Sequence, residues 1–66
     1  MTPKELIRIL ESNGFVLKRI RGSHHIFTNK TSGKITVVPV HKRDLPRGTF
    51  HAILRQAGLD QNDLNR

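Results

Sequence analysis

Residues 15–39 read FVLKRIRGSHHIFTNKTSGKITVVP, and this stretch decides the fold. From Phe15 to Arg21, aromatic and branched apolar residues alternate roughly with basic ones, the pattern of a half-buried strand. Gly22-Ser23 is a two-residue turn signal, and a second strand is expected from His24 to Asn29. The polar run Asn29-Lys30-Thr31-Ser32-Gly33 is a hairpin turn, and a third strand follows from Lys34 to Pro39. Strands joined by turns this short pair antiparallel.

Helices flank the strands on both sides. Thr2 offers a hydroxyl N-cap, Pro3 suits the first helical position, and Glu5 stands where its carboxylate reaches back to the cap. Leu6, Ile9 and Leu10 share one face, and Asn13-Gly14 is a left-handed stop, so a helix is expected over about 3–13. Pro46, Arg47, Gly48 and Thr49 open a second helix. Its stripe is Phe50, Ile53, Leu54 and Ala57, and Gly58 ends it. Asp60 is placed to cap one last turn through Leu64. The fold class is α+β: a two-layer α-β-β-β-α arrangement, with a three-stranded antiparallel sheet and both helices on one face. The expected core is Leu6, Ile9, Leu10, Phe15, Leu17, Ile26, Val37, Phe50, Ile53 and Leu54, with Leu59 at its edge. Ile20 and Val40 are expected to stay partly exposed, under a partner.

A chain of 66 residues makes one domain, residues 1–66, and is too small for a deep substrate cleft. Without cysteine it has no disulfides, which points to a reducing compartment. No signal-peptide pattern and no membrane-length apolar run is present, so a soluble, cytoplasmic protein with no membrane partner is expected. Twelve Lys and Arg against five Asp and Glu give a net charge of +7. The charge is concentrated. Residues 18–43 hold Lys18, Arg19, Arg21, Lys30, Lys34, Lys42 and Arg43 with no acidic residue, whereas charges cancel before and after this segment. Such a patch attracts polyanions by releasing their counterions. Trp and Tyr are absent and Phe15, Phe27 and Phe50 are the only Phe residues. Phosphate attraction is therefore a better expectation than a platform for stacking bases.

Arg21-Gly22-Ser23-His24-His25 turns the first hairpin inside this patch. Gly-Ser-His-His also opens many affinity tags, but here it is internal and flanked by strand residues. Side chains alternate along a strand, so His24 and His25 face opposite sides and do not readily share a phosphate or a metal. No metal site and no cofactor is expected, since cysteine is absent and the nearest carboxylates lie outside the segment. His41 lies near Lys42 and Arg43, and His51 falls off the apolar stripe of its helix. A histidine among cations suits cleavage of RNA, whose 2′-hydroxyl is a built-in nucleophile. Imidazole moves protons near neutral pH, and the cations stabilise charge on the phosphoryl oxygens.

Leu10-Glu-Ser-Asn-Gly-Phe15, Arg21-Gly-Ser-His-His-Ile-Phe27, Val38-Pro39 with His41, Leu45-Pro-Arg-Gly-Thr49 and Ile53-Leu-Arg-Gln-Ala-Gly-Leu59 together resemble the HicA toxin family across nearly the whole chain. The resemblance implies an mRNA interferase with a fold similar to a double-stranded-RNA-binding domain, and a HicB-like antitoxin that masks the active face. It also implies one catalytic histidine, the last residue of a Gly-Ser-X-His element, which falls on His25. Many relatives have arginine where Val40 stands. The expected function is a toxin endoribonuclease that cleaves single-stranded mRNA without metal, inhibiting translation and growth. His25 is the acid or base, Gly22 and Ser23 shape the turn, and Arg21, His24, Lys34, Lys42 and Arg43 contact RNA or its phosphates. The antitoxin is expected over the open sheet face, covering His25. Two other readings stay open: a non-catalytic RNA-binding module, and an interaction protein whose basic face only meets an acidic partner.

Overall fold

The computed structural model describes residues 1–65. Its order is α1 (Pro3–Ser12), β1 (Val16–Arg21), β2 (His24–Thr28), β3 (Ile35–Pro39), α2 (Arg47–Ala57) and a 3-10 turn (Gln61–Asn65). The strands form one antiparallel sheet in the order β1-β2-β3, and the helices cover one face of it. None of the described helices is long and apolar enough to cross a membrane.

Local chemistry sets the helix ends. Thr2 Oγ1 accepts from the Glu5 N–H at 3.1 Å, and Glu5 Oε1 accepts from the Thr2 N–H at 3.2 Å and its hydroxyl at 2.9 Å. These bonds hold the Glu5 carboxyl below its ordinary value of 4.5, the hydroxyl bond first and the backbone bond second. A folded-state value lowered in this way contributes stability that is present above pH 4.5 and lost as pH falls below it. Thr2→Ala is expected to cost about 1 kcal/mol in urea unfolding at pH 7. The advantage of wild type over Glu5→Gln is expected to shrink between pH 7 and pH 3. At the other end of α1, Gly14 takes φ +91°, and Asn13 donates from Nδ2 to the carbonyls of Ile9 and Asp63. Asn29 Nδ2 donates to the Asn13 carbonyl, tying the β2-β3 turn to the same corner. Gly58, at φ +71°, ends α2 as expected. Asp60 then accepts from the Asn62 N–H at 2.9 Å, opening the last turn.

The core consists of Leu6, Leu10, Phe15, Phe27, Val38, Leu45, Ile53, Leu54 and Ala57. Here the sheet corrects the expectation. Leu17 and Val37 are exposed and Ile26 is only half-buried, whereas Phe27, Val38 and Thr36 point into the helix layer. Strands β2 and β3 carry apolar neighbours, Ile26-Phe27 and Val37-Val38, so alternation allowed either face. The larger ring of Phe27 fills the core, and Thr36 is satisfied inside by donating to Gln56 Oε1 at 2.9 Å. Leu17 does face the helix side but overhangs it, because β1 is an edge strand and the helices sit mainly against β3. Ile9, Phe50 and Leu59 are half-buried, and Val40 packs partly against the core.

Candidate nucleic-acid interface

The strand register divides the sheet into two chemically different faces. Directly opposed residues share a face. His24 pairs with Arg21 and Pro39, and Ile26 pairs with Arg19 and Val37, so these residues lie on the open face. His25 pairs with Ile20 on one side and fully buried Val38 on the other, which places it on the helix side. The two histidines therefore face opposite sides, as alternation requires. The expectation that one partner lying over the open face would also cover His25 is corrected by this register: the open face carries His24.

The first hairpin turns over Gly22 and Ser23 alone, with Gly22 at φ +60° in the first central position. Glycine meets that backbone demand at low cost, and the tight turn fixes the register of the histidines. The Ser23 carbonyl accepts from the Val40 N–H at 2.7 Å. This bond continues the β2-β3 ladder and draws the segment bearing His41, Lys42 and Arg43 toward the hairpin end. His25 is half-buried, and its Nδ1 is enclosed with no hydrogen-bond partner among the described residues. Beside it Ile20 is 53% exposed and Leu17 46% exposed, so an uncovered apolar border flanks the ring on the helix side of β1.

The sheet brings Arg21, Gly22, Ser23, His24 and His25 to one end, with Lys42 and Arg43 following β3 out of that end. It does not bring Lys34 there. Lys34 precedes Ile35, which pairs with Thr28 at the opposite end of the sheet, about 13 Å along the strand from Val38. Its methylenes lie over Gly58, where a Cβ would stand 2.7 Å from Lys34 Cε. Lys18, Arg19, Arg21, Lys30, Lys34, Lys42 and Arg43 are all exposed, and among the described residues none is in an ion pair. Among those residues, no cluster of three or more His, Asp or Glu is arranged to hold a metal ion. His51 sits apart on α2, its ring 5.2 Å from that of Phe50.

One feature of this end was not legible in the sequence. An open groove of about 580 Å³ runs from Pro39 past His41, Lys42 and Arg43 to Pro46 and Thr49. The proximity of His41 to two cations was visible in the sequence. The return of Pro46 and Thr49 against the strand end was not, because it depends on how the 40–46 connection folds back.

Comparison with curated protein sequences gives no match. The family model for the HicA toxin of bacterial toxin-antitoxin systems matches residues 3–59. That span holds α1, the whole sheet, the histidine hairpin and α2, and the chain belongs to the HicA toxin family.

Proposed function

We propose that this HicA-family toxin is an endoribonuclease that cleaves single-stranded mRNA, with His25 as its proton-transfer group. The observation that carries this reading is the setting of His25, half-buried at a fixed hairpin end from which extend cations in no ion pair among the described residues. With Nδ1 enclosed, proton exchange with RNA falls to Nε2. The 2′-oxygen attacks the adjacent phosphorus while its proton passes to His25. The P–O5′ bond breaks, the leaving oxygen takes up a proton, and the products are a 2′,3′-cyclic phosphate and a 5′-hydroxyl. Lys42 and Arg43 stabilise the charge that develops on the phosphoryl oxygens. The Gly22-Ser23 turn presents the ring, and no step is routed through a metal. Arg21 and His24, across the hairpin, hold a flanking stretch of the strand, and Lys34 meets a more distant phosphate.

The family implies a HicB-type antitoxin as partner. To mask His25, that partner approaches from the helix side of β1, where Leu17 and Ile20 are exposed. The cytoplasm, where mRNA is translated, is the proposed site of action. Growth after induction tests the reading. Wild type and His24→Ala are expected to arrest growth, and His25→Ala is not. Arrest lost with His24→Ala and kept with His25→Ala reverses the assignment.

A further inference from the structure

The groove beyond β3 is a second chemical environment next to the histidine hairpin. Its volume of about 580 Å³ lies within the range of about 300–1,000 Å³ common for small-molecule sites. It lies at the hairpin end of the sheet: Pro39, on its wall, pairs with His24, one residue on from the pairing of Val38 with His25. The walls combine apolar, aromatic, cationic and hydroxyl groups with one carboxylate, that of Asp44, which lies 3.8 Å from the Met1 ammonium, and with the side chain of buried Leu45. Pro39 and Pro46 supply rigid apolar surface, and His41 supplies an exposed aromatic ring. Lys42 and Arg43 supply charge that no ion pair neutralises among the described residues. The half-buried Thr49 hydroxyl has no hydrogen-bond partner among those residues.

A phosphate alone gains from the cations but nothing from the prolines or the ring. An aliphatic side chain gains the reverse. A nucleotide matches the prolines, the ring, the hydroxyl and the cations together: its flat base lies on imidazole and proline, its edge meets a hydroxyl, and its phosphate meets lysine and arginine, while the Asp44 carboxylate is turned to the Met1 ammonium. We propose that this groove is a nucleotide subsite for the RNA. It seats one base next to the phosphate at His25, with His41 as the stacking residue and Thr49 at the base edge. The proposal rests on the RNA-cleaving reading above and adds residues that the catalytic step does not use.

The test is the binding of a fluorescent 2′-O-methyl hexanucleotide, whose nucleophile is capped, across a salt series. Alanine replacement of a stacking ring weakens binding by about five- to a hundredfold, and His41→Ala is expected to fall in this range with an unchanged salt slope. His41→Phe keeps a ring and is expected to bind within about threefold of wild type. Lys42→Ala is expected to lower the slope by about 0.7, the share of one single-strand phosphate contact. A merely structural role for His41 is separated from stacking because it predicts equal losses in the alanine and phenylalanine variants. Equal losses overturn the subsite, as does wild-type affinity in His41→Ala. If wild type cuts and binds RNA while His41→Ala matches it, only the subsite falls. If wild type neither cuts nor binds, the RNA-cleaving reading itself falls.

Discussion

Purified His25→Ala is expected to cut single-stranded RNA about 10²- to 10⁴-fold more slowly than wild type in EDTA, the usual share of a positioned acid or base. His24→Ala is expected to keep the chemical step and lose only affinity, because its ring lies on the opposite face beside Arg21. The measurement is a single-turnover rate at saturating protein, which separates chemistry from binding. Equal rates for wild type and His25→Ala, with both proteins folded, remove the catalytic role. The absolute rate of wild type is also informative. Among the described residues Nδ1 of His25 has no hydrogen-bond partner, so none of their carboxylates orients the ring through that nitrogen, as happens in hydrolytic triads. A slow enzyme is expected, and slow cleavage suffices under the proposed function, in which every message in the cell is a substrate.

Phe27→Ala is expected to remove about 3–5 kcal/mol, the cost of emptying a phenylalanine site in a packed core. Small domains have about 5–15 kcal/mol of stability in all, so this one replacement takes a large part of it. Phe27 is 1% exposed. Its chain neighbour Ile26 is half-buried on the open face, and Ile26→Ala is expected to cost clearly less. Urea midpoints with unchanged slopes report the comparison. If Ile26→Ala proves the more damaging, the sheet packs with its other face inward.

That comparison also marks where the sequence was readable. The helix bounds were legible because each end has a residue whose chemistry admits few alternatives: Thr2 with Glu5 at the start of α1, Gly14 after its end, and Gly58 closing α2. The hairpin turns were legible for the same reason. The sheet faces were not. In β2 and β3 two apolar residues stand side by side, so the choice fell to volume at Phe27 and to a hydroxyl partner for Thr36, which only the folded chain reveals. Leu45 is buried although it stands in a mostly polar connection and outside the expected core. A local signal existed: Leu45 precedes the N-cap Pro46 and Phe50 stands at the fourth helical position, the spacing of a hydrophobic staple. At the candidate site, the position of His25 in the first hairpin and the cations beyond β3 could be read from order alone. The remoteness of Lys34 and the groove at His41 depended on register and on the path of the 40–46 connection.

The pairing of β1 with β2 skips one residue: Leu17 opposes Phe27, but Arg19 opposes Ile26, leaving Lys18 over as a bulge. Everything after Lys18 is thereby moved by one place, and this count puts Ile20 rather than Arg19 beside His25. Were Lys18 instead paired in register with Ile26, the same amino acids would put the Arg19 guanidinium against the imidazole and set Ile20 opposite His24 on the other side. The electrostatic surroundings of His25 are thus set by the bulge as much as by the composition of the strand. Losing the bulge with Lys18 retained is a change of chemistry as well as of shape, whereas deleting Lys18 leaves the partners of His25 as they are.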